Sequence, residues 1–257
     1  MKKLKMDKVR TAFSVHPPSS YLIPSNDSPP SQVDIFYMDA PDDSVPLSVT
    51  LAGVNEAYKK GYFTRFGLFN YRVEDIEAVY NYCNENGYVL PTVYQGNYSS
   101  VARKQDTLLF PTLRRLKITF YTYNPLADGF LTKTKEQIQQ GAGRFGNALG
   151  GMYSNMYSKP AYLEVLSEWE AMAKKVGCSK ADLAYRWVSY SSPLKPEQGD
   201  GIIVGASSLR QFEQTMEGLK AGPLPDEAVK RIDYVWKTIE HDAPLDNCGD
   251  NVSLFKK

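Results

Sequence analysis

Short apolar segments alternate with segments of helical periodicity along most of the chain. The apolar segments are rich in residues that favour strands, and most end at a polar residue or a turn. They predict strands at 33–39, 64–69, 89–94, 118–123 and 201–204. Between the first two, Leu47, Leu51, Val54 and Tyr58 recur at helical spacing before Gly61. Strands separated by helices in this way predict βαβ units and a parallel sheet.

The same periodicity recurs later in the chain. It predicts helices at 73–83, 108–116, 162–172, 209–219 and 225–239. The sequence Ser179-x-x-Asp182 is typical of a capping box and predicts the start of another helix. Residues 124–158 contain six glycines and little periodicity, which predicts a long functional loop. The apolar strand 201–204 is expected to be buried, and the tail from Ala243 is expected to be loose.

The first 32 residues do not show this alternation of strand and helix patterns. A short helix is predicted over 3–13, whereas the proline- and serine-rich stretch 14–32 predicts a loop or disorder. We therefore divide the chain into an irregular segment 1–32, an α/β region 33–247 and a tail 248–257.

Composition narrows the classes of ligand. The 30 Lys and Arg residues against 29 Asp and Glu residues leave a formal charge of +1, which gives no electrostatic footprint for nucleic acid. No run approaches the roughly 18 apolar residues that a membrane span needs.

The cysteines and the acidic turn give no sign of a metal site. Cys83, Cys178 and Cys248 show no metal-ligand spacing and are expected to be reduced thiols. The acidic turn at 39–43 lacks convergent partners for a metal. We expect a cytoplasmic protein with a small-molecule ligand.

Seven sequence blocks, in order and spacing, resemble the aldo-keto reductases. They are VDIFYMDAPD (33–42), RFGLFNY (65–71), LPTVYQGNY (90–98), FYTYNPLADGFL (120–131), GAGRF (141–145), LAYRW (183–187) and IIVGASSLRQFEQT (202–215). The branch they resemble is that of the aflatoxin-aldehyde reductases and their fungal relatives. The resemblance covers roughly 33–247. It implies an incomplete (β/α)8 barrel whose five strands correspond to the family's strands four to eight.

The resemblance implies NADPH-dependent reduction of aldehyde or ketone groups, with NADP(H) as cofactor, a small carbonyl compound as substrate and a role in fungal secondary metabolism. The family's catalytic Asp, Tyr and Lys belong to strands one to three, which the resemblance does not reach. The family's catalytic His corresponds to Asp39. An ionised carboxylate only accepts hydrogen bonds and would oppose a growing oxyanion. We therefore assign no catalytic residue.

The resemblance implies a fuller set of residues for the cofactor. Asn70 and Gln95 correspond to residues that hold the nicotinamide carboxamide, and Tyr123 to the aromatic residue that stacks on the ring. The loop with Asn124, Leu126 and Gly129 corresponds to the one that wraps the pyrophosphate. Arg144 corresponds to a clamping arginine. The turn that takes the adenosine phosphate corresponds to Ser207, Ser208, Arg210, Gln211 and Gln214.

Four positions depart from the family pattern. Phe69 replaces a serine, Asp128 replaces a glycine beside the phosphates, and Thr215 replaces an adenine-contacting asparagine. Ser154 stands where related reductases place an arginine for a substrate carboxylate.

Two functions therefore stay open from the sequence. The first is an NADPH-dependent reductase, and the second is an inactive, truncated remnant that binds nucleotide weakly or acts as an interaction protein. A barrel without three of its strands leaves two sheet edges, so self-association is also expected. The proline- and serine-rich tract at 17–31 is consistent with a shortened gene or with translated non-coding sequence.

Overall fold

The computed structural model describes residues 13–14, 32–42, 44–146 and 151–245. The helix expected at 3–13 and the loop expected at 14–32 therefore lie almost wholly outside the described residues, as does the tail 248–257. Phe13 and Ser14 form a two-residue strand, β1, which pairs in parallel with the next strand.

All five predicted strands are present. They are β2 (Val33–Asp39), β3 (Phe63–Phe69), β4 (Pro91–Asn97), β5 (Thr119–Tyr123) and β6 (Gly201–Ile202). The strands neighbour one another in sequence order, and the registers between β2, β3 and β4 and between β5 and β6 are parallel. This α/β arrangement is that of an incomplete (β/α)8 barrel, as the family resemblance implied.

Helices separate the strands. The α-helices of the described residues are α1 (Leu47–Lys59), α2 (Val73–Glu85), α3 (Gln105–Leu108), α4 (Phe110–Arg115), α5 (Lys135–Gln139), α6 (Met152–Tyr157), α7 (Pro160–Val176), α8 (Lys180–Tyr190), α9 (Leu209–Lys220) and α10 (Asp226–Ile239). Short 3-10 helices lie at Ala127–Thr132, Gly143–Phe145 and Pro196–Gln198.

The capping box predicted from the sequence is present at the start of α8. The Ser179 hydroxyl accepts a hydrogen bond from the backbone N–H of Asp182 at 3.0 Å, and the Asp182 carboxylate accepts one from the backbone N–H of Ser179 at 3.2 Å. Both otherwise unpaired N–H groups of the helix start are satisfied in this way.

Three expectations were wrong in detail. β4 begins two residues later than predicted, because the backbone N–H of Val89 donates to Asn55 Oδ1 at 3.1 Å. The stretch 201–204 is not buried: Gly201 and Ile202, which form β6, are half-buried, and Ile203 after the strand is 36% exposed. Among the described residues, β6 has β5 as its only neighbour in the sheet. The stretch 124–158 is not one long loop, because it contains α5, α6 and two 3-10 helices.

The beginning of the expected loose tail is packed. Ala243 is 3% exposed. The carbonyl oxygens of Asp242 and Leu245 accept hydrogen bonds from Lys159 Nζ at 2.6 Å and Gln105 Nε2 at 2.8 Å. These contacts were invisible in the sequence because both partners lie far from the tail along the chain.

The chain divides into two compact units. Unit 1 comprises the described residues within 1–95 and 111–120, and unit 2 comprises those within 96–110 and 121–257. The core of unit 1 contains the apolar faces of β2, β3 and α2, with Ile35, Phe66 and Ile76 at most 2% exposed. Unit 2 has an aromatic core, in which Phe130 stacks on Tyr157 with ring centroids 5.6 Å apart. None of the described helices combines the length and the apolar character needed to cross a bilayer.

Candidate cofactor site

Unit 1 places predicted site residues at one level of its sheet. Asp39, the last residue of β2, pairs in register with Phe69 of β3, which pairs with Gln95 of β4. These residues lie toward the carboxyl ends of parallel strands, where the sites of such folds are built. Asp39, which the resemblance matched to the family's histidine, and Gln95, which was predicted to contact the cofactor, therefore share this level.

The chain leaves β2 and β3 through left-handed residues. Ala40 has φ 67° and Asn70 has φ 58°, and the backbone N–H of Ala40 donates to the carbonyl of Phe69 at 2.9 Å. Asparagine adopts this conformation more readily than most residues, which gives Asn70 a structural reason to follow β3. Its side chain is buried, with the residue 6% exposed.

Unit 2 contains a tight loop after β5. Tyr123 is the last residue of the strand and is half-buried. The residues of the loop with positive φ are Asn124 (59°), Ala127 (50°), Asp128 (57°) and Gly129 (89°). Backbone hydrogen bonds close the loop, from Ala127 N to Asn124 O at 2.8 Å and from Gly129 N to Leu126 O at 3.1 Å. Left-handed non-glycine residues cost free energy and persist only where the surroundings hold them, as they do here.

The Asp128 carboxylate joins this loop to the segment of Arg144. Asn124 Nδ2 donates to one carboxylate oxygen at 2.7 Å, and Arg144 Nη1 donates to the other at 3.0 Å. The side chain of Asp128 is only 1% exposed. Burial raises the pKa of Asp128 to about 6, although Arg144 and Asn124 act in the opposite direction. The structure thus brings together two predicted cofactor residues, Asn124 and Arg144, which both bind the Asp128 carboxylate. From the sequence, Asp128 was expected to be unfavourable beside a phosphate.

Arg144 is held at one side and open at the other. Its side chain is 61% exposed although one N–H group is bonded to Asp128. The bond to Asp128 uses one of the five N–H donors of the guanidinium. The Arg144 guanidinium also lies 5.7 Å from the ring centroid of Tyr153. Ser154 Oγ donates to the carbonyl of Phe145 at 2.6 Å, and in this way it fixes the turn that carries Arg144.

Lys133 is a second cation here, and it was not among the residues predicted from the sequence. A Cβ at Gly129 or at Gly143 would lie 3.5 Å from Lys133 Nζ, so the ammonium group lies beside the backbone of both segments. The glycine-rich tract around it was the available signal, since a lysine among glycines can approach a backbone closely. Lys133 and Arg144 together give this part of unit 2 two positive side chains.

The start of α9 brings together three predicted residues. Ser208 is the N-cap and accepts a hydrogen bond from the backbone N–H of Gln211 at 3.3 Å. Gln211 Oε1 accepts from Ser207 N at 3.0 Å and from Ser207 Oγ at 2.7 Å. The first N–H groups of a helix have no partner within the helix, and its dipole favours anions. Arg210 and Gln214 are also exposed on this helix.

The structure therefore connects the predicted residues of unit 2 in two groups. One contains Asn124 and Arg144, and the other contains Ser207, Ser208 and Gln211. Thr215 Oγ1 donates to the Gln211 carbonyl at 3.0 Å, so its hydroxyl is used within α9. Across the described residues, no group of three or more His, Cys, Asp or Glu side chains is arranged to hold a metal ion.

Comparison with known proteins identifies the family. Residues 30–237 match the model of the aldo/keto reductase family. The chain is 38% identical over 215 residues to the oxidoreductase sirO of Leptosphaeria maculans, covering 83% of this chain and 65% of that protein. It is 37% identical over 215 residues to an aldo-keto reductase of Pseudocercospora fijiensis, covering 81% and 72%.

A mammalian protein is similar to the same extent. The chain is 36% identical over 222 residues to aflatoxin B1 aldehyde reductase member 2 of Rattus norvegicus, covering 83% of this chain and 60% of that protein. The chain thus spans about two thirds of the length of these relatives. It belongs to the aldo/keto reductase family.

Proposed function

We propose that this chain binds NADP(H) and serves the NADPH-dependent reduction of an aldehyde or ketone. The observation that carries the proposal is the guanidinium of Arg144, which is hydrogen-bonded to Asp128 and is 61% exposed beside the left-handed loop after β5. Membership of the aldo/keto reductase family supports reductase function over an inactive remnant. The similarity to fungal reductases supports the further proposal of a role in secondary metabolism.

The donor set of unit 2 suits a ligand with several phosphates. Arg144 and Lys133 supply positive charge beside the loop. The Lys133 ammonium group lies close to the backbone at Gly129. An arginine can donate two hydrogen bonds to a phosphate, whereas a lysine acts as a point charge. We propose that Asn124, Leu126, Gly129 and Arg144 hold the pyrophosphate.

The start of α9 suits a further anionic group. Ser207 and Ser208 lie exposed at the start of α9, and Arg210 offers a positive charge in the first turn of this helix of 12 residues. Anions bind at such helix starts because backbone N–H groups and the helix dipole both favour negative charge. We propose that this turn, with Gln211 and Gln214, takes the phosphate on the adenosine, which distinguishes NADPH from NADH.

The remaining predicted residues have separate tasks in this proposal. By the resemblance, Tyr123 would pack against the nicotinamide ring, and Asn70 and Gln95 would hydrogen-bond its carboxamide. When bound, the cofactor supplies the hydride for the carbonyl carbon. The protein residues bind and orient it. Asp39 is not proposed as the proton donor, because an ionised carboxylate has no proton to give.

A calorimetric titration of the 257-residue protein with NADPH tests this proposal. The wild type is expected to bind, and Arg144→Ala is expected to raise Kd by about tenfold, as the loss of a charged hydrogen bond predicts. Arg115→Ala is the matched control, since Arg115 is also exposed and paired with a carboxylate, that of Glu77. It is expected to leave Kd unchanged. Absence of binding by the wild type, or equal Kd values for all three proteins, would contradict the proposal.

A further inference from the structure

Asp128 is an unusual group to find beside a phosphate-binding loop. Its carboxylate has the two donors already described, Asn124 at 2.7 Å and Arg144 at 3.0 Å, and almost no contact with solvent. Arg144 is the cation on which the proposed function depends. Its charge is therefore paired with an opposite charge before any ligand arrives.

We propose that Asp128 restrains cofactor binding by holding Arg144 in an ion pair, so that removing its charge tightens the binding of the anionic dinucleotide. The inference rests on the proposed function and adds to it a residue that sets affinity. The resemblance assigns no such role, because the family has glycine at this position.

Electrostatics give the direction of the effect. Arg144 Nη1 lies 3.0 Å from Asp128 Oδ1. A phosphate that approaches the Arg144 guanidinium therefore also approaches the Asp128 carboxylate. The side chain of Asp128 is 1% exposed, so water screens its charge poorly. The pair thus attracts a phosphate less than an unpaired arginine would. Lys133, by contrast, forms no ion pair with any residue that the structure describes.

The shape of the loop does not depend on the Asp128 carboxylate alone. Backbone hydrogen bonds from Ala127 to Asn124 and from Gly129 to Leu126 close it. Asp128 has φ 57° and ψ 25°, a conformation that glycine adopts without strain and that asparagine tolerates. The variants Asp128→Asn and Asp128→Gly are therefore expected to fold with the same loop.

The groups around Asp128 predict how the affinity for the dinucleotide depends on pH. Arg144 faces it from the 3-10 helix Gly143–Phe145, Tyr153 and Tyr157 from α6, and Asn124 from its own loop. Burial raises the pKa of both tyrosines, so they stay neutral between pH 5 and 8. The pKa of Asp128 is raised to about 6. A bound phosphate favours the protonated carboxyl, so binding takes up a proton and weakens as pH rises through this value.

Titration calorimetry with NADH, at pH 5 and pH 8, tests the inference. NADH is the probe because it lacks the adenosine phosphate of NADPH, which itself titrates near roughly pH 6. At pH 8 we expect Asp128→Asn and Asp128→Gly to bind NADH about threefold to tenfold more tightly than the wild type. At pH 5 the difference is expected to fall below about twofold, because the wild-type carboxyl is then protonated.

Two controls make the result specific. Asp226→Asn removes an exposed carboxylate at the start of α10 and is expected to match the wild type at both pH values. Proton uptake, measured from the binding heat in buffers of different ionisation enthalpy, is expected near pH 6.5 for the wild type and not for Asp128→Asn. Equal or weaker binding by both Asp128 variants at pH 8 would overturn the inference and leave the proposed function standing. Absence of NADH and NADPH binding by every protein would overturn both.

Discussion

The ring of Tyr37 lies against the backbone of Gly67, its partner in the register between β2 and β3. A Cβ at Gly67 would stand 2.6 Å from two ring carbons of Tyr37 and 3.2 Å from Ile35 Cγ2. Tyr37 is 2% exposed, so its ring has little room to move away. Glycine at this position is what allows the two strands and their core residues to pack in unit 1.

Gly67→Ala is therefore expected to destabilise the protein. Overpacking of this kind lowers the free energy of unfolding by about 1–3 kcal/mol. Gly53→Ala is the matched control: a Cβ there meets nothing within 4 Å, and the residue lies inside α1. Alanine in a helix is expected to raise the free energy of unfolding by about 0.5–1 kcal/mol. Urea unfolding measures both, and a Gly67→Ala protein as stable as the wild type would contradict this packing.

Because Asp128 is buried, its ionisation is expected to make the free energy of unfolding depend on pH. The carboxyl has a pKa of about 6 in the folded protein and an ordinary value near 3.8 when unfolded, so the unfolded state ionises first. The resulting penalty is absent below about pH 4 and complete above about pH 6. Asp128→Asn is expected to raise the free energy of unfolding by about 3 kcal/mol at pH 7.5, with the gain shrinking as pH falls from 6 to 4.

Asp42→Asn is expected to change the free energy of unfolding in the direction opposite to Asp128→Asn. The hydrogen bonds from Ser44 lower the pKa of Asp42, so its contribution is present at neutral pH and is lost as pH falls below its ordinary value. The Asp42→Asn protein is expected to be slightly less stable than the wild type at pH 7.5. Chemical unfolding at a series of pH values checks both variants. A constant difference between Asp128→Asn and the wild type from pH 4 to 7.5 would show that the Asp128 carboxyl is not desolvated.

Ser208→Ala is expected to lower both helix stability and affinity for NADPH. The Ser208 hydroxyl caps α9 at 3.3 Å from the Gln211 nitrogen, and loss of a cap costs about 1 kcal/mol. Ser179→Ala removes the equivalent cap of α8 and provides a control with a similar cost in stability. Calorimetry is expected to show weaker NADPH binding by Ser208→Ala, with NADH binding changed less. If Ser179→Ala loses NADPH affinity equally, the effect is structural and the α9 assignment is wrong.

Arg144→Ala is expected to change KM for the cofactor more than kcat. Arg144 would contact the cofactor alike in the ground state and the transition state, so its loss removes uniform binding. If the proposed reductase function holds, we expect KM for NADPH, with an aromatic aldehyde as substrate, to rise about tenfold while kcat changes less than about twofold. Steady-state kinetics measure this, and a selective loss of kcat would contradict the assignment.

Regular patterns in the sequence predicted the regular parts of the fold. Val33–Asp39 was predicted with the bounds that β2 has, because strand formers and the turn after Asp39 mark both ends locally. The Ser179 capping box was visible for the same reason, since both partners lie within one helical turn. Family resemblance, and not periodicity, predicted the cofactor residues.

Tertiary contacts account for what the sequence did not predict. The start of β4 depends on a hydrogen bond between Val89 and Asn55, which are 34 positions apart. The exposure of Ile203 depends on which strands neighbour β6. Asp128 was read as unfavourable for phosphate because Arg144, 16 positions away, could not be placed beside its carboxylate. Helices as short as α5 and α6 contain too few turns to show a period.

Hydrogen–deuterium exchange of the 257-residue protein, with and without NADPH, tests the central claim most directly. The claim is that unit 2 holds the dinucleotide through the loop after β5, the Arg144 turn and the start of α9. NADPH is expected to slow exchange at 124–132, 141–146 and 207–211 and to leave α10 (Asp226–Ile239) unchanged. Unchanged exchange in these three segments at saturating NADPH, or protection confined to other parts of the chain, would contradict the account.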